Sequence, residues 1–582
     1  MRIKLAKTSG FCMGVRRAME LTLEALNRRE GPIYSYGPLI HNAQVLEMLE
    51  NKGLMVLEPG VDPLDGIKSG TVIIRAHGLP PKEVKALKDA GLSIIDATCP
   101  RVIRVQAIIR KQAELGYTSI IVGDADHPEV IGLLGHAGGK GWAVISKSEV
   151  EALPDFEKVF VVAQTTQSQK KFEEVVEAVQ ARWPDALIFN TICGATNRRQ
   201  EEVRRLAGQV QAMVVVGGHD SGNTKRLAEV SRAQGLKTVH LETEEELEAA
   251  WFAGVDTIGV TAGASTPNWM IKRVIRELER IASRRELSLR SISHRVLRIM
   301  LLSNIYVALG GSALCMAGAF LQGLSFSVEL FAVTFFYVHA MHMLNLFLDK
   351  EAGKYNDPDR VLFFESHKTV LIGSGIFSGL FCLALGLKIG LAVFLLFIIT
   401  GAVSLIYPVR IIPGFLRPYF KITKLKDIPA SRTLSVSSGW ALSLSLLPAL
   451  APGGRVTLST GIVAVIIFIL IFMRSSLGGI FDIQGDRIAG QESVPIIIGE
   501  ERTLTLLKLT VPLLAIVLVG GFVPGFLTSL ALFLLILPAY AVFYLILYQR
   551  DRLVIGTFFE TLVDANFLLA GAVAWLWWIA LK

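Results

Sequence analysis

The chain has 582 residues, more than one ordinary globular core accommodates, so we expect at least two domains. Hydrophobic residues make up 52% of it and its mean hydropathy is +0.48, which excludes a wholly soluble protein and predicts a membrane-embedded part. The formal net charge of +8 does not indicate a nucleic-acid partner, because the excess basic residues lie in loops beside apolar spans.

Up to about residue 280, short β-rich runs alternate with helical stretches. The β-rich runs include 71–76, 119–122, 159–162, 213–216 and 257–260. The amphipathic stretches between them include 170–182 and 244–251. This alternation predicts α/β units with mostly parallel sheets.

Each β-rich run ends in a polar tip that carries histidine, serine, threonine, asparagine or cysteine. Open α/β sheets bind ligands at the carboxyl ends of their strands. Hydroxyl, amide and imidazole groups beside helix N-termini suit an anion such as phosphate. The first half is therefore predicted to bind a phosphate-type ligand with thiols nearby.

Three of the five cysteines lie in the first half, namely Cys12, Cys99 and Cys193. No long apolar core follows the first residues, so we expect this half in the reducing cytoplasm, where structural disulfides are rare. Three thiolates cannot all pair as disulfides but can hold a metal. A lone cysteine is more often a small buried hydrophobe, and the spacing is long, so ordinary packing stays an alternative. Cys315 and Cys382 lie in apolar spans and are predicted to pack there.

A basic segment at 283–298 precedes about nine apolar stretches of membrane-spanning length. These lie near 299–321, 328–348, 369–388, 390–408, 433–452, 456–473, 503–523, 525–547 and 555–580. The long polar connections near 349–368, 409–432 and 474–502 are predicted on the cytoplasmic side, with the C-terminus outside. The predicted domains are therefore 1–282, a juxtamembrane linker at 283–298, and 299–582.

Five strings in the first half resemble the family of 4-hydroxy-3-methylbut-2-enyl diphosphate reductases, also called IspH or LytB. In the family's order they are Gly-Phe-Cys-x-Gly-Val from Gly10, Asp-Ala-Thr-Cys-Pro from Asp96, His-Pro-Glu from His127, Gln-Thr-Thr from Gln164 and Thr-Ala-Gly-Ala-Ser-Thr-Pro from Thr261. The resemblance covers about residues 1–280. It implies a three-lobed α/β fold around a central iron–sulfur cluster. It also implies reduction of (E)-4-hydroxy-3-methylbut-2-enyl diphosphate to isopentenyl and dimethylallyl diphosphate, the last step of the methylerythritol phosphate isoprenoid pathway.

The same resemblance implies roles for single residues. Cys12, Cys99 and Cys193 match the three ligands of a 4Fe–4S cluster, whose remaining iron is open to a substrate oxygen. Glu129 matches the proton source, because expelling hydroxide from an allylic carbon requires protonation of the leaving oxygen. Thr165 matches the hydroxyl that orients the substrate alcohol. The other implied substrate contacts are His41, His77, His127, Ser221, Gly222, Asn223, Thr224 and Ser265. A ferredoxin or a flavodoxin-type protein is the expected electron donor.

The segment 217–224 departs from that family at Gly222, where many members carry a second serine. We expect altered phosphate contacts there, through the Gly222 backbone N–H and the Thr224 hydroxyl. The same segment has the glycine spacing of a P-loop, but Asn223 takes the position of the essential lysine. A nucleotide triphosphatase is therefore not predicted.

Two polar loops, at 345–360 and 479–495, begin at the cytoplasmic ends of predicted spans. Carboxylates four residues apart share a helix face and can hold Mg²⁺ against a diphosphate. Residues from about 295 to 582 resemble the UbiA family of membrane prenyltransferases. That resemblance implies an all-α fold of about nine transmembrane helices, a polyprenyl diphosphate donor and a lipid-soluble acceptor. The implied Mg²⁺ residues are Asn345, Asp349, Asp482 and Asp486.

Three possible metal carboxylates are missing, because Leu346, Gly353 and Gly479 stand where the UbiA family usually carries aspartate. Two hypotheses therefore stay open for the second half: a Mg²⁺-dependent prenyltransferase, or a catalytically inactive membrane anchor for the reductase. Under both, we expect a multi-pass protein of the bacterial inner membrane, embedded in its lipid bilayer, with the reductase domain in the cytoplasm.

Overall fold

The computed structural model describes residues 2–28, 31–40, 42–58, 67, 69–283, 289–348, 350–407, 428–491, 493–550 and 557–581. The chain divides into two units, Met1–Arg285 and Glu286–Lys582. The first unit is α/β and the second is all-α in its described residues. Both classes agree with the sequence-based prediction of fold.

Valine- and isoleucine-rich runs form the strands of the first unit, because β-branched side chains pack well on a pleated sheet. The strands among the described residues are β1 (Arg2–Leu5), β2 (Ile33–Tyr36), β3 (Leu54–Leu57), β4 (Thr71–Ile74), β5 (Ser93–Asp96), β6 (Thr118–Val122), β7 (Gly141–Val144), β8 (Val159–Ala163), β9 (Leu187–Ile188), β10 (Ala212–Val216), β11 (Lys237–Leu241) and β12 (Thr257–Ala262).

These strands form three four-stranded sheets. The strand orders are β1-β12-β10-β11 in the first sheet, β3-β2-β4-β5 in the second and β7-β6-β8-β9 in the third. Every pairing between described strands is parallel. The predicted parallel, three-lobed architecture is confirmed.

Helices follow most of these strands. In the described part of the first unit they are α1 (Met13–Arg28), α2 (Ala43–Asn51), α3 (Pro81–Asp89), α4 (Pro100–Glu114), α5 (Pro128–Gly135), α6 (Lys147–Glu151), α7 (Gln169–Arg182), α8 (Gly194–Ala207), α9 (Gly222–Ala233) and α10 (Asn268–Ser283). The predicted helical stretch at 244–251 instead forms two 3₁₀ turns, Glu244–Glu246 and Ala249–Phe252. The Glu246 carboxylate accepts hydrogen bonds from the backbone N–H groups of Glu242 and Thr243, which stabilises the short turn at Glu244–Glu246.

Long apolar helices build the second unit. Its described helices are α11 (Leu289–Leu302), α12 (Ile305–Leu321), α13 (Val328–Leu348), α14 (Lys350–Asn356), α15 (Pro358–Ser366), α16 (Lys368–Ile389), α17 (Leu391–Ile406), α18 (Ser431–Leu450), α19 (Leu458–Ala489), α20 (Val494–Ile498), α21 (Glu500–Phe522), α22 (Leu530–Phe533), α23 (Ile536–Gln549) and α24 (Thr557–Leu581). Buried apolar side chains from α12, α18, α19 and α24 share one core.

Seven helices in the described residues are long and apolar enough to cross a membrane, or eight if a bent pair counts as one span. The prediction of about nine is therefore slightly too high. The predicted span near 299–321 is bent by 74° between Leu302 and Ile305. Asn304 takes the left-handed conformation at this break, with φ of 59°, which asparagine tolerates better than most residues. The predicted span near 390–408 is α17, whose 16 residues are short for a span.

Two ion pairs that are largely shielded from solvent join α24 to other helices of the second unit. Arg474 on α19 donates through Nε and Nη2 to Asp564 on α24, with 3.0 Å between Nη2 and Oδ2. Arg360 on α15 donates through Nη2 to Glu560 on α24 at 2.5 Å. Charged groups inside a membrane domain are retained only when paired, so these pairs constrain how the three helices pack.

We expect Asp564→Asn to lower the free energy of unfolding by about 3 to 5 kcal/mol, because it leaves the Arg474 charge buried without its counter-ion. Thermal unfolding of the purified chain in detergent measures the change. The matched control is Glu329→Gln, whose partner Lys388 lies 2.8 Å away with both side chains more than half exposed. Glu329→Gln is expected to lower the free energy of unfolding by less than about 1 kcal/mol. Equal losses in the two variants would contradict a structural role for the buried pair.

Candidate functional site

Four of the predicted site residues are N-cap residues of helices. Cys99 precedes α4, His127 precedes α5, Cys193 precedes α8 and Ser221 precedes α9. A helix N-terminus presents unpaired backbone N–H groups and a partial positive charge. Thiolates and phosphate groups are both stabilised in such positions, so the strand-to-helix turns suit the predicted ligands.

Each of the three sheets contributes one cysteine beyond the carboxyl end of a strand. Cys12 follows β1 of the first sheet, Cys99 follows β5 of the second and Cys193 follows β9 of the third. The backbone N–H groups of these cysteines donate to three carbonyl oxygens: Cys12 to Ala264 at 3.0 Å, Cys99 to Ala76 at 3.0 Å and Cys193 to Thr165 at 2.7 Å. Thr165 is itself a predicted site residue, and the other two acceptors are next to predicted site residues in the chain.

The three thiols are half-buried, and none forms a disulfide. Burial raises the pKa of the Cys99 thiol, the backbone N–H groups of Arg101 and Val102 act in the opposite direction, and Cys12 and Cys193 add to the rise. The first turn of α1 packs directly on Cys99, because a Cβ on Gly14 would lie 2.6 Å from the Cys99 Sγ. This close packing places the Cys12 turn beside Cys99.

The donor set fits an iron–sulfur cubane better than a single ion. Among the described residues, no three His, Cys, Asp or Glu side chains are grouped to hold one metal ion. In a cubane each thiolate binds a different iron, so the sulfur atoms lie farther apart than the ligands of one ion. Three half-buried thiols, one from each sheet, are the donor set that would hold three irons of such a cluster.

Glu129 and Thr165 form a buried pair. The Thr165 backbone N–H donates to Oε1 of Glu129 at 2.6 Å, and its hydroxyl donates to Oε2 at 2.8 Å. Burial raises the pKa of Glu129 to about 7, although the two bonds from Thr165 act in the opposite direction. A carboxyl group that titrates near neutral pH can act as a general acid.

The two histidines His77 and His127 pack edge to face, with ring centroids 5.5 Å apart. The backbone N–H of Glu129 donates to Nδ1 of His127 at 3.1 Å. Because Nδ1 accepts, a neutral His127 ring carries its proton on Nε2. That nitrogen is therefore a hydrogen-bond donor. His41, the third predicted histidine, lies outside the described residues.

The first turn of α9 carries the other predicted phosphate contacts. The Nδ2 atom of Asn223 is buried and has no hydrogen-bond partner among the described residues, so it is a donor suited to an anion. A Cβ on Gly222 would meet nothing within 4 Å, which leaves open space at this turn. The Thr224 hydroxyl packs toward Gly263, where a Cβ would lie 2.1 Å from it. Its contact with phosphate stays a prediction. Ser265 is 7% exposed, just beyond the end of β12.

In the second unit, the structure brings the two predicted polar loops together at Asp486, although both are helical there, in α14 and α19. This residue is 0% exposed and accepts a hydrogen bond from Nδ2 of Asn356 at 2.7 Å. Arg432 donates to the same carboxylate oxygen, Oδ1. The other oxygen, Oδ2, is buried and has no hydrogen-bond partner among the described residues. Asp486 on α19 therefore contacts the first polar loop.

The remaining predicted Mg²⁺ residues differ in their surroundings. Asn345 is exposed near the end of α13, and Asp482 is half-buried one turn before Asp486. Asp349 lies outside the described residues. The sequence did not indicate Arg432 as a partner of Asp486, because 54 residues separate them in the chain.

Comparison with known proteins identifies the first unit. Residues 3–279 match the family model described as LytB protein. The 4-hydroxy-3-methylbut-2-enyl diphosphate reductase of Geobacter sulfurreducens is 45% identical over 286 residues, which cover 49% of this chain and 100% of that protein. The chain belongs to the LytB family. A solved structure of (E)-4-hydroxy-3-methyl-but-2-enyl diphosphate reductase is 41% identical, with a TM-score of 0.41. The aligned region covers 48% of this LytB chain and 100% of the solved chain.

The second unit carries a different match. Residues 304–563 match the model of the UbiA prenyltransferase family, so the second unit resembles that family. Its described residues include at least seven helices that are long and apolar enough to cross a membrane. A UbiA homolog from Archaeoglobus fulgidus bound to DMAPP and Mg²⁺ is 16% identical. The likeness covers 48% of this chain and 97% of that one, with a TM-score of 0.36.

In the LytB unit, sequence reasoning did not single out Arg199, although it lies six residues after Cys193 on α8. It is 5% exposed, and its Nη2 donates to the carbonyl oxygen of Gly10 at 2.7 Å. No local pattern in the sequence distinguishes it from its exposed neighbour Arg198.

We expect Gly14→Ala to displace the Cys99 thiol, since the added Cβ would lie 2.6 Å from Sγ. Overpacking of this kind costs about 1 to 3 kcal/mol. Most of the iron should be lost after anaerobic reconstitution, measured as iron atoms per chain. Gly194→Ala is the matched control beside Cys193, because its Cβ would meet only Arg198 Nη1, at 3.5 Å. Full iron content in Gly14→Ala would show that the close contact does not position Cys99.

Proposed function

We propose that the first unit reduces (E)-4-hydroxy-3-methylbut-2-enyl diphosphate to isopentenyl and dimethylallyl diphosphate. The observation that carries this proposal is the buried Glu129–Thr165 pair, which is tied to the cysteine site by the hydrogen bond from Cys193 N–H to the Thr165 carbonyl oxygen. The name of the Geobacter sulfurreducens relative supports the same reaction.

Cys12, Cys99 and Cys193 would hold a 4Fe–4S cluster in this reaction. When bound, the cluster supplies electrons one at a time and an open iron that acts as a Lewis acid toward the substrate oxygen. A ferredoxin or a flavodoxin-type protein would deliver the electrons. The chain itself supplies three thiolates and the helix N-termini of α4 and α8 beside two of them.

Glu129 would protonate the leaving hydroxyl group. The Thr165 backbone N–H donates to Oε1 of Glu129, and the Thr165 hydroxyl lies 2.8 Å from Oε2, where it can accept the proton of a neutral Glu129. From this hydrogen bond the proton would pass to the leaving oxygen of the substrate. Burial keeps a large fraction of the Glu129 carboxyl group protonated near pH 7. A solvated glutamate would be almost fully ionised at that pH.

Groups at the helix N-termini would bind the diphosphate. The Nδ2 atom of Asn223 and the N-terminus of α9 offer donors, and so does Nε2–H of His127 at the start of α5. His41, His77, Ser221, Gly222, Thr224 and Ser265 complete the proposed contacts.

Glu129→Gln is expected to keep its iron and to lose turnover by a factor of about 10² to 10⁴, since an amide cannot act as the acid. Iron content and substrate-dependent oxidation of a reduced dye measure the two effects. In the unchanged protein the active form is the protonated acid. Because its pKa is about 7, activity should be highest below pH 7 and fall as the pH rises through that value.

The matched control is Asp126→Asn, an exposed carboxylate three residues earlier. It should retain both iron and rate. A Glu129→Gln protein with a near-normal rate, or an unchanged pH profile in that variant, would exclude Glu129 as the proton donor while leaving the cluster proposal intact.

For the second unit we propose Mg²⁺-dependent transfer of a polyprenyl group from its diphosphate to a lipid-soluble acceptor. The favouring observation is the contact between Asp486 and Asn356, which joins the two polar loops and leaves Oδ2 of Asp486 without a hydrogen-bond partner among the described residues. Asn345, Asp349 and Asp482 would complete the metal site. Carboxylate and amide oxygens are ligands suited to Mg²⁺.

The competing proposal is an inactive anchor. Arg432 already compensates the Asp486 charge, and aspartates expected at three other places are absent. Under either proposal the chain lies in the bacterial inner membrane, with domain 1–282 on the cytoplasmic side and 283–298 as the linker to 299–582.

The two proposals differ in one assay. Membranes containing the full chain, Mg²⁺, labelled geranylgeranyl diphosphate and a lipid extract from the native host should yield a labelled lipid. Asp486→Asn should abolish the label, because it removes the carboxylate charge at the proposed metal site. Glu501→Gln, an exposed carboxylate in the first turn of α21, should retain it. No label in any sample, with folded protein and several donor lengths, would favour the anchor.

A further inference from the structure

A buried arginine connects two of the three cysteine-bearing segments. Arg199 lies on α8, which begins after Cys193, and its guanidinium reaches the loop before Cys12. Nη2 donates to the Gly10 carbonyl at 2.7 Å, while Nη1 donates to the Thr8 carbonyl and, at 3.4 Å, to the Ala262 carbonyl. The side chain thus links the first turns of α8 to the segment that carries Cys12 and to the end of β12.

The partners of this guanidinium are neutral carbonyl groups. Within the described residues no carboxylate pairs with Arg199, and the nearby Glu202 accepts instead from Arg205 and from the Lys7 backbone N–H. Burial lowers the pKa of Arg199, and the negative groups that act on it in the opposite direction are Cys12 and Cys193. The guanidinium therefore lies buried between the loop before Cys12, whose Thr8 and Gly10 carbonyl oxygens it binds, and α8, whose N-cap residue is Cys193.

A second arginine provides an internal comparison. Arg17 on α1 donates to the carbonyl oxygens of Thr98 at 3.0 Å and Asp96 at 3.1 Å, so it ties the Cys12 side of the site to the Cys99 turn. Its side chain is only half-buried. Both arginines hold cysteine-bearing segments together, but of the two only Arg199 is buried, with 5% of its surface exposed.

We propose that Arg199 is a positioning residue for the cysteine site and that its buried positive charge raises the reduction potential of a 4Fe–4S cluster held by Cys12, Cys99 and Cys193. The inference rests on the cluster of the proposed function. Reduction adds one electron from an external low-potential donor to an already anionic cluster, and no bond forms or breaks in that step. A nearby buried cation stabilises the more negative, reduced form more than the oxidised form.

The test uses the full chain, purified anaerobically in detergent, as wild type, Arg199→Lys, Arg199→Gln and Arg198→Gln. Iron per chain and the midpoint potential are measured, the latter by titration with dithionite and redox mediators under electron paramagnetic resonance. Arg199→Gln is expected to have a more negative midpoint potential, whereas Arg199→Lys keeps the charge and stays near the wild-type value. The exposed neighbour Arg198 is the matched control, and its variant should leave the potential unchanged.

An unchanged potential in an iron-loaded Arg199→Gln protein overturns the inference. If that variant holds no iron, Arg199→Lys decides: iron at the wild-type potential supports the role of the charge, and absence of iron or a shifted potential overturns it. A wild-type chain that holds no cluster would overturn the proposed function itself, so the two failures are distinguishable.

Discussion

The convergence of three parallel sheets at their carboxyl edges is the constraint on which the chemistry of the first unit depends. A right-handed strand–helix connection places each helix N-terminus at such an edge, so residues far apart in sequence meet there. Each sheet contributes one cysteine, and each cysteine N–H is held by a carbonyl group beyond a strand of its own sheet. Relative shifts of the sheets would therefore separate the thiols.

Burial then determines what the side chains at this junction can do. Glu129 is 2% exposed, and the loss of hydration moves its pKa to about 7, where a carboxyl group can give up a proton at neutral pH. Arg199 is also buried, at 5% exposure, and low exposure to water strengthens the field of a charge. The proposed roles of Glu129 and Arg199 thus both depend on exclusion of water.

The second unit also buries charged groups, here within an apolar helical core. Asp486, Asp564 and Glu560 each meet an arginine from another helix, which offsets the cost of burying their charges. At Asp564 such a pair supports helix packing. At Asp486 it lies where the two polar loops meet, so the Arg432 contact bears directly on whether a metal can bind there.

Local sequence patterns indicated five of the strands, the parallel sheets, the resemblance of each half to a known family and the three cysteines as candidate ligands, because these depend on periodicity and on residues adjacent in the chain. The contacts of Arg199 and Arg432 depended on packing between segments distant in sequence. The near-neutral pKa of Glu129 belongs to this second group, since a motif names the acid but only the folded structure removes it from water.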